Sequence, residues 1–293
     1  MLTIFTPTYN RAYILPQLYQ SLCSQTDKNF EWLIVDDGST DNTEDIIRAW
    51  IKENAISIRY FKQENGGKMR AHNRGVKEAL YELFLNVDSD DYIVNNTVEM
   101  ILQYSNKLIN NNLSGIIAYR GYESYKNLVK CEFPEDKKKT TLSGLYKKGF
   151  TGETSLIFKT IILKQHLFPE IRGEKFVTEA YIYDKIDQKY EMLLLPEIII
   201  RSKYLEDGYT QNDLLLKQSN PLGWSMFFNQ RSLYADNFKE KIRMTSYYIC
   251  YGLIGKKKNI ITSSFSPLFA IVCYPLGLWL KKGIINEFSS LNN

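Results

Sequence analysis

The sequence contains little cysteine, and its spacing excludes two kinds of small-domain scaffold. Cys23, Cys131, Cys250 and Cys273 lie far apart in a chain of 293 residues and form no Cys-x-x-Cys pair. A structural zinc site or a disulfide framework needs cysteines in closer, regular spacing. We therefore expect reduced thiols and a cytoplasmic protein.

Targeting signals and long apolar runs are also lacking. The first residues, MLTIFTP, contain neither a basic region nor an apolar stretch of signal-peptide length, so they give no indication of export. A mostly apolar stretch at 265–280 is interrupted by Pro267, Pro275 and Gly277. It is shorter than the ~20 residues that a membrane-spanning helix needs, so no span is predicted.

Two common phosphate-binding motifs are absent. Gly66-Gly67-Lys68 lacks the four residues that a Walker loop places between its glycines, and Met69 stands where that loop needs Ser or Thr. No Gly-x-Gly-x-x-Gly follows the first predicted strand. The sequence therefore excludes a P-loop ATPase and disfavours a dinucleotide oxidoreductase.

The composition is that of a soluble globular protein. Hydrophobic residues make up 44% and charged residues 24%, and the length suffices for one α/β domain with an appendage. The net charge of +4 is uneven, because residues 238–293 hold eight Lys or Arg and two acidic residues. The C-terminal region is thus the basic end of the chain. No nucleic acid partner is predicted.

Apolar strands and amphipathic helices alternate in the first third of the chain. Strands are predicted at 2–5, 30–35, 56–61 and from residue 83, each followed by a polar or glycine-bearing loop. This alternation is typical of a parallel sheet with right-handed crossovers. The four loops should then meet outside the carboxyl ends of the strands, where ligands bind in such sheets.

The fourth strand runs into an acidic cluster. Asp88, Asp90 and Asp91 fall within four positions, and alternation along a strand would point Asp88 and Asp90 the same way. Hard oxygen ligands suit magnesium or manganese that carries a phosphate. The alternatives are an acidic turn or a phosphatase that uses Asp88 as nucleophile, whereas a calcium loop would need Gly where Ile93 stands.

These motifs resemble those of a known enzyme family. They read TPTYNR at 6–11, VDDGSTDNT at 35–43, NGGKMRAHNRG at 65–75 and DSDD at 88–91. Their order and spacing are similar to those of family 2 glycosyltransferases. The resemblance implies an inverting enzyme of GT-A fold that uses a nucleotide sugar: an α/β domain, Rossmann-like, with a mainly parallel central sheet flanked by helices and a smaller mixed acceptor region.

The resemblance also implies roles for the matching positions. Tyr9 would flank the nucleobase, Asp37 would accept its imino hydrogen, and Lys68 would approach the pyrophosphate or ribose. Asp88 would bind ribose or metal, and Asp90 would ligate a Mn or Mg ion. The other residues assigned to nucleotide binding are Thr6, Pro7, Arg11 and Ser89.

Acceptor and base assignments fall mostly in the second hundred residues. Glu153 and Asp91 are predicted acceptor contacts, and Asp207 belongs to a Gly-centred turn that is a predicted lid. Inverting transfer needs a carboxylate that takes the acceptor's proton. By resemblance it is Glu179, ahead of Glu174 and Asp184, although Ala180 stands where the family has a second acid.

The sequence predicts a catalytic domain at 1–212 and a helical C-terminal region at 213–293. Lysines at 256–258 and 281–282 flank the apolar stretch, which suits either peripheral contact with the inner membrane surface or packing on the protein. The predicted function is sugar transfer from a nucleotide sugar, with UDP preferred, to a saccharide or lipid-linked acceptor in bacterial surface polysaccharide synthesis. A non-catalytic nucleotide-sugar-binding module and a metal-dependent phosphotransfer enzyme are the alternatives.

Overall fold

A computed structural model describes residues 1–108, 112–122, 129–202 and 213–290. The strands are β1 (Leu2–Thr8), β2 (Phe30–Asp36), β3 (Ile58–Lys62), β4 (Leu83–Asn86), β5 (Tyr92–Ile93), β6 (Leu113–Tyr122), β7 (Lys139–Thr140), β8 (Thr154–Lys159) and β9 (Glu191–Ser202). The helices are α1 (Leu15–Cys23), α2 (Thr43–Glu53), α3 (Lys68–Glu78), α4 (Thr97–Ser105), α5 (Leu142–Lys147), α6 (Thr160–Gln165), α7 (Ala180–Asp187), α8 (Asp213–Ser219), α9 (Pro221–Leu233), α10 (Phe238–Ile254) and α11 (Pro267–Ser290).

Nine strands of the described residues form one mixed sheet. Its order is β3-β2-β1-β4-β8-β6-β9-β5, and β7 pairs with β9. The first four strands are parallel to one another, whereas β8 is antiparallel to both β4 and β6. The predicted parallel half and mixed half are therefore both present.

The strand order reverses direction between β1 and β4. After β1 the chain proceeds outward to β2 and β3, then returns to place β4 on the other side of β1. In open α/β sheets this switch point leaves a crevice at the carboxyl ends of the two strands. Strand β2, next to β1, contains the fully buried Trp32. The ring of Trp32 stacks on Tyr19, and Tyr19 stacks on Trp50 with 4.3 Å between ring centroids.

The described residues divide into two compact units. One holds the sheet and comprises described residues up to Leu167 together with those from Ile182 to the end of β9. The second contains Phe168–Tyr181 and the described residues from α8 onward. The segment Phe168–Tyr181, which the sequence analysis placed in the catalytic domain, thus clusters with the C-terminal helices.

Only two residues of the segment 132–145 form a strand. Only Lys139–Thr140 pairs with β9, and a helix, α5, begins two residues later. Thr141 caps this helix by accepting a hydrogen bond from the Gly144 backbone N–H at 2.9 Å. The carboxylate of Asp187 accepts two more from the first turn, so the helix start is stabilised from a distant part of the chain.

The apolar stretch near the C-terminus is also longer and more regular than predicted. Helix α11 continues through Pro275 for 24 residues, although a proline inside a helix costs about 3 kcal/mol. Pro275 lies on the exposed side, and the opposite side packs against α10. Packing of one face therefore outweighs the local cost of the proline.

Gly115 is required where β6 lies against β8. A Cβ atom there would lie 1.9 Å from the carbonyl oxygen of Ile157, and the obstacle is backbone that cannot rotate away. We expect Gly115→Ala to lower the free energy of unfolding by about 3 kcal/mol or more, measured by urea denaturation. The neighbouring Ser114→Ala, which removes a 3.3 Å hydrogen bond to Glu191, should cost less than about 1.5 kcal/mol. Equal effects of the two changes would contradict this account.

Candidate functional site

The loop after β1 is tied to the loop after β2 through Asn10. This residue adopts a left-handed backbone conformation (φ 52°), which asparagine tolerates better than most residues. Its side-chain Oδ1 accepts a hydrogen bond from the Thr40 N–H at 2.8 Å, and its own N–H donates to Ser39 Oγ at 2.9 Å. Tyr9, which precedes it, remains 47% exposed. The two loops therefore present an aromatic ring at the carboxyl end of β1.

Asp37 ties the loop after β2 to the loop after β3. Its Oδ1 accepts hydrogen bonds from Gln63 Nε2 at 2.8 Å and from the Gly66 N–H at 3.0 Å, and its Oδ2 accepts one from the Gly67 N–H at 2.7 Å. Gly67 has a φ of 92°, where other residues would be strained. Since each carboxylate oxygen accepts about two hydrogen bonds, Oδ2 can accept one further donor. Asp37 thus orders the glycine loop and keeps acceptor capacity.

Lys68 connects the loop after β3 to the acidic cluster after β4. Its Nζ lies 2.8 Å from Oδ1 and 2.9 Å from Oδ2 of Asp88. Asn86 donates a further hydrogen bond to Asp88 at 3.2 Å. The four polar loops are therefore linked in series by hydrogen bonds and one ion pair, and they meet where the strand order reverses.

The charges of the acidic cluster are unevenly compensated. Burial opposes ionisation of Asp88, but the charges of Lys68 and Arg120 outweigh it and lower its pKa to about 2. Burial and the negative charge of Asp88 raise the pKa of Asp90, while Arg11 and Lys68 act in the opposite direction. Asp88 therefore carries a negative charge at neutral pH.

Asp91 is not available as an acceptor contact, contrary to the prediction. It is buried, and Arg120 Nη1 lies 2.8 Å from its Oδ2. Burial raises its pKa to about 6, against the lowering effect of Arg120, and the charge of Asp88 adds to the rise. The third carboxylate of the cluster therefore serves to anchor Arg120 beside the site.

The prediction that strand alternation aligns Asp88 and Asp90 is wrong. Strand β4 ends at Asn86, and the acidic residues lie in a turn that the hydrogen bond from the Asp91 N–H to the Asp88 carbonyl closes at 3.1 Å. The turn, rather than the pleat of a strand, brings these carboxylates close together.

Three residues assigned to nucleotide binding are buried. Thr6 is 0% exposed, and its hydroxyl accepts a hydrogen bond from the indole N–H of Trp32 at 3.0 Å, so its side chain serves the sheet instead of a ligand. Pro7 is buried within β1, where it pairs with Val35. Ser89 is buried in the acidic turn. Burial disfavours side-chain contacts of Thr6 and Pro7 with a nucleotide, and the assignment of the three residues to nucleotide binding stays a prediction.

Glu153 lies exposed just before β8. The hydroxyl of Tyr122 donates a hydrogen bond to its Oε2 at 2.6 Å, and its backbone carbonyl accepts one from the Arg120 N–H. These contacts place Glu153 next to the residue that pairs with Asp91. Its role as an acceptor contact stays a prediction, and Asp207 lies outside the described residues.

The acids considered as catalytic base differ in their surroundings. Glu174, in the second unit, accepts hydrogen bonds from the backbone N–H groups of Leu222 and Gly223, both at 2.7 Å. The carboxylate of Glu174 therefore stabilises the N-terminus of α9. Glu179, in the same unit, directly precedes α7 and is half-buried, whereas Asp184 is buried within that helix. The assignment of Glu179 as base stays a prediction.

Sequence reasoning missed three residues that organise the crevice: Asn10, Gln63 and Arg120. Asn10 and Gln63 act through hydrogen bonds to loops about 30 residues away, and no local pattern marks such contacts. A cation such as Arg120 could have been expected from the number of charges in the acidic cluster. Three carboxylates within four positions need cations, and Lys68 alone does not compensate them.

The acidic turn fits a divalent cation that is shared with a ligand. Among the described residues no group of three or more His, Cys, Asp or Glu side chains is placed to enclose a metal ion. Magnesium and manganese sites in phosphate-binding enzymes commonly use one or two carboxylates and complete the shell with phosphate oxygens and water. Asp90 and Asp88 supply such a pair, and Asp88 is also paired with Lys68.

Two solved structures with the same fold hold a nucleotide sugar. Residues 1–349 of Staphylococcus aureus TarS, in complex with UDP-GlcNAc, match with a TM-score of 0.60 and 17% identity over 99% of this chain and 91% of that one. The mannosyltransferase PcManGT from Pyrobaculum calidifontis, in complex with GDP-Man and Mn²⁺, matches with a TM-score of 0.58 and 17% identity over 98% and 83%. The predicted GT-A-type α/β fold with C-terminal helices is confirmed.

Sequence comparisons identify the family. The model of "Glycosyl transferase family 2" matches residues 3–167. An uncharacterized glycosyltransferase of Rickettsia typhi is 30% identical over 78% of this chain and 72% of its own length. Glycosyltransferase GlyG of Streptococcus pneumoniae is 36% identical over 35% of this chain and 34% of its own. The matched region contains all four loops of the crevice, and the chain belongs to glycosyl transferase family 2.

Proposed function

We propose that this protein is a metal-dependent, inverting hexosyltransferase that uses a UDP-sugar. The observation that carries the proposal is the meeting of four loops at the switch point between β1 and β4, with Tyr9, Asp37, Lys68 and Asp90 among them. An exposed ring and a buried acceptor suit a nucleobase, a cation suits a diphosphate, and a carboxylate suits a metal ion.

The nucleobase would lie between the loops after β1 and β2. Tyr9 offers an exposed ring face for stacking, and Asp37 Oδ2 offers an acceptor for the imino hydrogen of uracil. The choice of UDP is supported by TarS, whose structure holds UDP-GlcNAc. PcManGT holds GDP-Man, so the fold itself does not fix the base.

The diphosphate would lie between Lys68 and the acidic turn. Asp90 and Asp88 would hold a Mn or Mg ion, whose chemistry here is to neutralise charge on the departing diphosphate. Lys68 would exchange its contact with Asp88 for one with a phosphate oxygen, because a phosphate carries more negative charge than one carboxylate. Arg11 would add positive charge on the side of Asp90.

The acceptor hydroxyl would attack the anomeric carbon from the face opposite the diphosphate. Glu179 is the proposed base that takes its proton, and Glu153, held by Tyr122, is the proposed contact for the acceptor sugar. We propose a saccharide or lipid-linked saccharide acceptor of bacterial surface polysaccharide synthesis, encountered at the cytoplasmic face of the inner membrane. The lysine-flanked apolar helix α11 supports that location.

A non-catalytic nucleotide-sugar-binding module is the second candidate. It is favoured by Ala180, which stands where the family has a second acid beside Glu179. The family match favours sugar transfer over the phosphatase alternative. The hexosyltransferase and the non-catalytic module would bind a nucleotide sugar in the same crevice, and only the hexosyltransferase would turn it over.

The experiment that separates them combines binding with turnover. A panel of nucleotides and nucleotide sugars is screened by thermal shift with Mn²⁺ present or chelated, since a ligand at a hundredfold above its Kd adds about 2.7 kcal/mol of stability. The best donors are then tested for nucleoside diphosphate release with saccharide acceptors. We expect stabilisation by UDP that is weak without metal, followed by metal-dependent release. Binding without release across the panel would favour the module.

Lys68→Met should have opposite effects on nucleotide and on metal. The Kd for UDP with Mn²⁺ present should rise about 10- to 100-fold, since a charge-assisted hydrogen bond contributes about 1.5–3 kcal/mol. The Kd for Mn²⁺ alone should fall, because Asp88 no longer has a resident cation. Calorimetry measures the first and electron paramagnetic resonance of free Mn²⁺ the second. The control is Lys77→Met, an exposed lysine of α3. Weaker binding of both ligands would contradict the exchange.

A further inference from the structure

Helix α11 has one face buried in its own unit. Ala270 and Cys273 are 0% and 5% exposed, and a Cβ atom at Gly277 would lie 2.6 Å from the side chain of Ile249 on α10. These positions recur at three- and four-residue intervals and define the inner side of the helix. The inner side of α11 is therefore held by packing on α10.

The opposite face is apolar and exposed. We call Leu268, Ile271, Val272, Pro275 and Trp279 the outer face of α11; they also recur at three- and four-residue intervals. Leu268 is 81% exposed, Val272 75% and Trp279 68%. Apolar side chains grouped in this way on one side of a helix mark a contact surface rather than a solvent-facing one.

The charges around this face are of one sign. Residues 241–286 contain no Asp or Glu, and their charged residues are Lys241, Arg243, Lys256, Lys257, Lys258, Lys281 and Lys282. Lys282 is exposed and continues the outer face one turn beyond Trp279, while Lys241 lies 5.2 Å from the ring of Phe269 at the other end of the helix. An apolar face flanked by several lysines is complementary to a surface that is apolar inside and anionic outside.

We propose that the outer face of α11 docks the protein in the plane of an anionic lipid surface. Leu268, Val272 and Trp279 would enter the headgroup and acyl boundary, where tryptophan is favoured, and the lysines would contact lipid phosphates. The proposal goes beyond sugar transfer and does not depend on it.

Two other occupants fit less well. A second copy of the chain would meet this face through the same patch and bring two sets of positive charges together, which is unfavourable. A membrane span fits poorly as well, although α11 is long and apolar enough by composition. Its outer face from Leu268 to Trp279 rises only about 17 Å, against about 30 Å of hydrocarbon, and Lys281 and Lys282 follow at once.

The test is co-sedimentation of the full chain with vesicles of phosphatidylcholine, alone or mixed with phosphatidylglycerol. Wild type should bind the anionic vesicles at least about tenfold more tightly than the neutral ones, and added salt should weaken the binding. The double variant Leu268→Gln/Val272→Gln should lose at least about tenfold in affinity. The double variant Lys258→Gln/Lys282→Gln should lose about fivefold per lysine on anionic vesicles only.

The matched control is Ile161→Gln, an apolar side chain of the other unit that is 62% exposed. It should bind vesicles as wild type does, and circular dichroism should be unchanged in all variants because every substituted residue is at the surface. Wild type that stays in the supernatant with anionic vesicles overturns the proposal. A dimer in sedimentation velocity that Leu268→Gln/Val272→Gln dissociates, without vesicle binding, overturns it in favour of a second copy. Donor turnover is measured in a separate assay, so the vesicle-binding result can be interpreted even if the protein does not transfer sugar.

Discussion

Asp90→Asn is expected to lower kcat/KM for sugar transfer on the order of 10³-fold while the protein remains folded. A bound metal ion contributes several kcal/mol to stabilisation of charge on a phosphoryl leaving group, and each 1.4 kcal/mol is a factor of ten in rate. Asp90 lies in the turn after β4, whereas the carboxylate of the neighbouring Asp91 is paired with Arg120 Nη1 at 2.8 Å. The amide keeps the size of the side chain and removes its charge.

The measurement has two parts, steady-state kinetics and Mn²⁺ binding in the presence of UDP. Both should be impaired in Asp90→Asn, whereas Asp45→Asn, the same chemical change at an exposed position of α2, should leave both within about twofold, since surface substitutions away from a site are nearly neutral. Unchanged Mn²⁺ binding in Asp90→Asn would remove Asp90 from the metal site. Full activity would remove the metal from the proposal.

Glu179→Gln is expected to lower kcat by about 10²- to 10⁴-fold, the usual contribution of a positioned general base. The Kd for UDP with Mn²⁺ should stay within about threefold of wild type, because Glu179 is assigned to the acceptor's proton and not to the donor. Kinetics with saturating donor and calorimetry with UDP give the two numbers. A loss of turnover with retained binding is the pattern that a base predicts.

The matched control for Glu179→Gln is Glu170→Gln, an exposed carboxylate of the same compact unit. It should leave kcat unchanged. If Glu179→Gln retains its turnover, the base is elsewhere, and Asp184→Asn becomes the next variant to measure. Glu174 is the weakest of the three acids, because its carboxylate binds the start of α9 through two backbone N–H groups.

The parallel half of the sheet was predictable because its signals are local. Each strand from β1 to β4 contains apolar residues and is followed by a loop with glycine, asparagine or aspartate, and right-handed crossovers force these loops to one edge. The sequence therefore predicts Tyr9, Asp37, Lys68 and Asp88 together at that edge. Hydrogen bonds from Asn10 to Thr40 and from Gly67 to Asp37, with the Lys68 to Asp88 ion pair, now show how the loops meet.

The roles of individual residues in those loops were less predictable, because long-range partners decide them. Thr6 looked like a loop residue, but pairing of β1 with β2 buries it against Trp32. Asp91 looked like a third exposed acid, but Arg120, from β6, neutralises it. No spacing within the motif distinguishes Asp91 from Asp90.

The C-terminal helices illustrate a second limit. Prolines at 267 and 275 indicated an interrupted segment, yet α11 is continuous because Ala270, Cys273 and Gly277 pack on α10. Propensity is a local quantity, and tertiary packing overrides it. The apolar residues of α11 divide between an inner side, which packs on α10, and the outer face, for which we propose a lipid surface.

The most direct test of the central claim is a crystal structure with UDP and Mn²⁺. The account predicts uracil against Tyr9, the diphosphate within reach of Lys68, and an anomalous manganese signal at Asp90. A nucleotide bound elsewhere, or no manganese signal at the turn after β4 with UDP present, would contradict it.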